Sequence, residues 1–114
     1  MCIRDSALAM AASRESLVLL KNDGVLPLNR AKVKRIAVIG ENANSVETLL
    51  GNYNGTPSHP VTILDGIKSV AGPGVEVSYH PGGPLAVRND GSGQSSPEML
   101  ASAVTAAAGA DRCV

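Results

Sequence analysis

Polar and apolar positions alternate along this chain with two periods. From Ala7 to about Asn22, ALAMAASRESLVLLKN is rich in Ala and Leu and free of Gly and Pro, which predicts a helix. Met10, Ser13, Leu17 and Leu20 mark one face, Val18 lies beside it, and Asn22-Asp23-Gly24 supplies the stop. Val25-Leu26-Pro27-Leu28 is then an extended apolar connector, kept out of a helix by its proline. Ile36-Ala37-Val38-Ile39-Gly40 is a short, continuous apolar run of β-branched type, the pattern of a strand covered on both faces of a parallel sheet.

A short helix is expected over Ser45 to Leu50. Thr62-Ile63-Leu64-Asp65 forms a capping box with Asp in place of Glu, opening a helix with apolar positions Leu64, Ile67, Val70 and Ala71. Gly72-Pro73-Gly74 ends it, and Val75 to Tyr79 alternates as a strand that stops at His80-Pro81-Gly82-Gly83-Pro84. Arg88 to Ser95 is a polar Gly/Ser loop. Ser96-Pro97-Glu98 provides an N-cap, a proline at the first helical position and an acid near the positive dipole end. Leu100, Ala103, Val104 and Ala107 continue that helix to Gly109, and Ala110-Asp111 leads toward a further strand. Helices and strands in alternation, with no internal repeat, predict an α/β fold: a truncated, layered α/β sandwich with a mostly parallel sheet.

Charge and composition narrow the function. Ten basic and ten acidic residues cancel without clustering, so there is no nucleic-acid footprint. No apolar run approaches the roughly 18 residues that cross a bilayer, so no membrane partner is expected. Two cysteines and two histidines, widely spaced, give neither a disulfide framework nor a metal site. IAVIG lacks the remaining glycines of a dinucleotide fingerprint, so no nucleotide cofactor is expected. There is no G-x-S-x-G, and Ser58 beside His59 is not a triad. Glu41 and Glu47, the nearest carboxylates after the first strand, read as solvated surface residues and not as catalysts.

The chain has no Trp, no Phe and two Tyr, and one of these, Tyr53, sits in the turn-rich loop GNYNGTPSHP. Asn-Gly and Thr-Pro already account for a surface turn. The same loop also offers amides, hydroxyls, an imidazole and an aromatic face, a mixture suited to sugar hydroxyls and the apolar face of a sugar ring. Tyr79, at a strand end, reads as core or rim packing.

Four ordered blocks carry a resemblance. SRESLVLLKNDGVLPL (13–28), KRIAVIGENAN (34–44), LLGNYNGTPSHPVTILDGIK (49–68) and SYHPGGPL (78–85) resemble the opening of the second domain of family 3 glycoside hydrolases, the third block being nearest the β-xylosidase and β-glucosidase branches. The resemblance spans nearly all of residues 7 to 111. It implies a parent that is a retaining, exo-acting β-glycosidase acting on terminal xylose or glucose. The nucleophilic Asp would lie in an N-terminal barrel and the acid/base Glu beyond residue 114, so no catalytic residue and no activity are expected of the chain alone. It further implies that Asn52, Tyr53 and Asn54, with His59 less directly, wall the leaving-group side of an oligosaccharide site facing that barrel. No cofactor or metal is implied. The compartment stays open, a periplasmic or secreted parent being the expectation for members acting on plant polysaccharide fragments. A standalone carbohydrate-binding or interaction module without a barrel is the alternative.

Three departures from the family pattern stand out. Glu41 replaces a Pro, Gly83 stands where many members have Cys, and Arg112-Cys113 interrupts the expected apolar strand, so the last three residues are of doubtful origin. Met1 to Ser6 (MCIRDS) is neither a signal peptide nor an evident helix start. ATG-TGT-ATA-AGA-GAC-AGN encodes this segment and matches a transposon end ligated in sequencing libraries. Residues 1–6 are therefore expected to be adapter-derived and Cys2 non-biological, leaving 7–114 as the N-terminal portion of the family 3 C-terminal domain.

Overall fold

The computed structural model describes residues 3–52, 55–85 and 93–114. Its elements are α1 (Ile3–Glu15), β1 (Arg35–Ile39), a 3-10 turn (Glu41–Asn44), α2 (Val46–Leu50), α3 (Ile63–Ala71), β2 (Glu76–His80), α4 (Pro97–Gly109) and β3 (Arg112–Cys113). The strands form one parallel sheet in the order β2-β1-β3, as the α/β reading requires.

β1 is central because its apolar run allows both faces to be covered. Ile36 and Val38 pack with Leu64 and Ile67 of α3 and with Val77 and Tyr79 of β2. The alternate residues face α4: Arg35, Ser78 and His80 share a hollow with Ser102 and Ala106, and Gly82 brings Ile39 close to Ala103. Ile36 sits opposite Val77 and Val38 opposite Tyr79, so this register gathers these four side chains on the α3 side. Tyr79 is the packing residue expected. α3 and α4 lie on opposite faces, as right-handed crossovers stepping in opposite directions demand.

Both helix caps form as read. The Thr62 hydroxyl accepts from Asp65 N–H at 3.1 Å while the Asp65 carboxylate accepts from Thr62 N–H at 3.3 Å, a complete capping box. Ser96 caps α4 through Met99 N–H at 3.2 Å, with Pro97 in the first turn. On α4, however, Ala103 faces inward while Leu100 and Val104 are exposed.

α1 departs from expectation at both ends. It begins at Ile3, taking in residues assigned to the adapter, and it stops at Glu15 instead of Asn22. Serines explain the stop: Ser13 Oγ donates to Ala9 O at 2.9 Å and Ser16 Oγ to Ser13 O at 2.8 Å, while Leu17 N–H closes a tight turn on Arg14 O. The Ser13 hydroxyl back-bonds inside the helix, and the Ser16 hydroxyl occupies a last-turn carbonyl and offers the chain an exit. Leu17 to Leu20 then run outside any helix, with Leu20 93% exposed. Asn22 and Gly24 serve a later turn, in which the Asn22 amide clasps Leu26, donating to its O at 2.7 Å and accepting from its N–H at 3.0 Å.

Arg112-Cys113 does form a strand, contrary to the reading that polar residues would break it. A parallel edge pairs through backbone, and both side chains are exposed, so their polarity is no obstacle. Asp111 secures the pairing: its Oδ2 accepts from Lys34 and Arg35 N–H, each at 2.8 Å, and its own N–H donates to Arg35 O at 2.9 Å. The radius of gyration is 16.7 Å, against about 13 Å for a compact domain of such length. Among the described residues no helix is long and apolar enough to cross a membrane.

Candidate functional site at the carboxyl edge of the sheet

Open parallel sheets bind ligands outside the carboxyl ends of their strands, where neighbouring connections diverge. In the order β2-β1-β3 that place lies between β1 and β3. A cleft of about 440 Å³ opens next to it, at the carboxyl end of β1, lined by Gly40 to Ala43, Ile63, residues of the Pro81–Leu85 loop and Val114.

The cleft follows from local rules. Gly40 has φ 116°, a conformation that side chains resist, and its N–H extends the β1–β2 ladder by donating to His80 O at 3.0 Å. The chain then folds into the 3-10 turn, where Asn42 Oδ1 accepts from Thr48 Oγ1 at 3.1 Å and so ties the turn to α2. Ser45 caps α2 through Thr48 N–H at 3.1 Å. Gly51, at φ 56°, releases the chain into the loop that the capping box at Thr62 recaptures.

Asn52 and His59 lie on this loop, both exposed. Tyr53 and Asn54 lie outside the described residues. Among the described residues lining the cleft neither Asn52 nor His59 appears. His59 Nδ1 meets Ser58 Oγ at 3.2 Å, a contact between sequence neighbours.

Two pairings were illegible in the sequence. Glu41 Oε2 accepts from Leu85 N–H at 2.8 Å, linking residues 44 apart, and His80 Nδ1 lies 2.9 Å from Ser102 Oγ. Neither follows a local spacing rule, so no sequence signal announces them. Glu41 is the only carboxylate among the described residues of the cleft.

Three carboxyls are held below their ordinary range, all by hydrogen bonds. For Asp65 the Thr62 hydroxyl dominates, followed by Thr62 N–H. For Glu98 its own N–H leads, then the Ser96 hydroxyl. For Asp111 the donors are Lys34 and Arg35 N–H. Each serves a helix cap or a strand junction and stays ionised at neutral pH, the wrong state for a general acid. Cys113 is a free, exposed thiol, and Cys2 lies outside the described residues. Among the described residues no cluster of three or more His, Cys, Asp or Glu is placed to hold a metal.

Comparison with known proteins supplies what this geometry lacks. The profile of the glycosyl hydrolase family 3 C-terminal domain matches residues 17–114. A xylan 1,4-beta-xylosidase of Xylanibacter ruminicola is 48% identical over 62 residues, which are 54% of this chain and 7% of that protein. A probable beta-D-xylosidase 7 of Arabidopsis thaliana is 48% identical over 77 residues, covering 67% of this chain and 10% of the relative. The solved structure of a beta-glucosidase involved in saponin metabolism from intestinal bacteria superposes with a TM-score of 0.71 at 27% identity, over 98% of this chain and 18% of the other. The matched stretches thus span a tenth or less of these curated relatives.

Proposed function

The chain belongs to the glycosyl hydrolase family 3 C-terminal domain family, and on that premise we propose that it is part of a retaining, exo-acting β-glycosidase releasing terminal β-linked xylose or glucose from oligosaccharides. The observation that carries this reading is the 48% identity to β-xylosidases of two distant organisms. Xylose is favoured over glucose for the same reason.

Retention needs two carboxyl groups about 5–5.5 Å apart, one as nucleophile and one as acid then base. Among the described residues Glu41 is the only carboxylate side chain of the cleft, and Asp65, Glu98 and Asp111 are committed to structure. The family resemblance assigns both catalytic groups to other parts of the parent, the nucleophile to a barrel domain, and residues 7–114 are expected to be inactive alone. This chain contributes a wall: Asn52, Tyr53 and Asn54, with His59 at the rim, meet the leaving-group sugar opposite that barrel. Residues 1–6 are proposed to be adapter-derived, and different codons in the source DNA would overturn that.

The test is to recover the complete gene and assay its product on aryl β-xyloside and aryl β-glucoside. Hydrolysis of the xyloside is expected. Tyr53→Ala should then raise KM for xylobiose about two- to ten-fold, an aromatic contact being worth roughly 0.5–1.5 kcal/mol. A gene that encodes no barrel, or a product without glycosidase activity, would leave a binding module in its place.

A further inference from the structure

The loop after β2 is held from two sides. On one, Leu85 N–H donates to Glu41 Oε2 at 2.8 Å, a charge-assisted bond between the exit turn of β1 and the exit loop of β2. On the other, a Cβ at Gly83 would run into the Ser95 side chain just ahead of α4, so loop and helix entrance are in close approach. Gly82 sits over the sheet end, its Cβ position 3.4 Å from Ile39 Cγ2. Pro81 and Pro84 remove two backbone donors and stiffen the path between these points. The clamped loop forms one wall of the 440 Å³ cleft, and the turn bearing Glu41 forms another.

We propose that Glu41 is a positioning residue, its carboxylate fastening the β2 exit loop to the β1 exit turn and so fixing the width of the cleft at the carboxyl edge of the sheet, which the loop assigned to the leaving-group sugar reaches at Ile63. This rests on the glycosidase reading for its substrate, though not for the clamp itself. A carboxylate suits the task because it accepts without donating, and Leu85 offers only an N–H. The contact engages one of its two oxygens. Loss of the clamp frees the wall and leaves the reacting groups, which lie elsewhere, in place. Its signature is therefore in KM for substrates long enough to touch the wall.

The test compares Glu41→Gln, which keeps an acceptor oxygen, with Glu41→Ala, which removes it, in the complete gene product. Hydrogen exchange of the peptide containing Leu85 should quicken about three- to ten-fold in Glu41→Ala and stay near wild type in Glu41→Gln, the range for losing one partly exposed charged acceptor. KM for xylobiose should rise by a comparable factor in Glu41→Ala and stay near the wild-type value in Glu41→Gln. Unchanged exchange in Glu41→Ala would overturn the clamp. Faster exchange with an unchanged KM for xylobiose would overturn the positioning role. Absence of hydrolysis in the wild-type product would overturn the glycosidase reading and the substrate half of this proposal, the clamp still being decided by exchange.

Discussion

Thr62 closes the loop that carries Asn52 and His59, and its removal should loosen that loop from a defined point. Its side chain is buried, at 5% exposure, and makes two bonds: Oγ1 accepts from Asp65 N–H at 3.1 Å and donates to Asp65 Oδ2 at 2.8 Å. Losing an N-cap hydroxyl costs about 1 kcal/mol, with a range of roughly 0.5–2. Losing the buried methyl adds about 0.8 kcal/mol. Thr62→Ala should therefore destabilise by about 2 kcal/mol, Thr62→Val by about 1 for the hydroxyl alone, and Thr62→Ser by less than about 1 for the methyl alone. Urea denaturation of the gene product should give that order. Locally, exchange of the Gly66 amide, which donates to Thr62 O at 2.9 Å, should quicken about five-fold per kcal/mol. The box also predicts a pH effect. The Asp65 carboxyl is depressed in the folded chain, so its contribution is present above the unfolded value of about 3.9 and is lost as pH falls through the folded one. That acid sensitivity should shrink in Thr62→Val. A Thr62→Val protein as stable as wild type, with unchanged Gly66 exchange, would refute this account of the cap.

Further outcomes follow from the sheet. Val38 is 1% exposed in the central strand, and Val38→Ala should cost about 2–3 kcal/mol from lost burial and cavity, read by the same denaturation series. Asp111 holds β3 to β1 with its carboxyl lowered by the Lys34 and Arg35 amides, so this contribution exists above the unfolded carboxyl value and is lost as pH falls through the lower folded one. Asp111→Asn should speed exchange of those two amides at neutral pH, and unchanged exchange would contradict the pairing. Isolated residues 7–111 would lack β3 and keep Leu17–Leu20 exposed, so poor solubility or molten behaviour is expected, and a sharp cooperative melt would count against it.

Legibility in the sequence tracked the range of the interaction. Thr62-x-x-Asp65 and Ser96-Pro97-Glu98 were readable because a cap is written within four residues, and IAVI because burial on both faces demands a continuous apolar run. The end of α1 is hidden in the sequence because Leu17–Leu20 include strong helix formers, whereas the Ser13 and Ser16 hydroxyls bond to preceding carbonyls where the helix stops. β3 is not legible from side-chain polarity because its pairing depends on backbone and on Asp111, 76 residues from Arg35. Glu41 could be placed beyond the first strand, but its partner Leu85 could not, since only the folded β1–β2 pairing brings the two exits together. Of the residues expected to face a sugar, Asn52 and His59 lie on the exposed loop, and Tyr53 and Asn54 fall outside the described residues.

The central claim is that this chain is part of a retaining β-glycosidase, and proton NMR of the complete gene product acting on an aryl β-xyloside tests it most directly. The account predicts that β-xylose appears first and mutarotates later. Initial release of α-xylose would contradict retention, and no release from the xyloside or the corresponding glucoside would contradict the assignment itself.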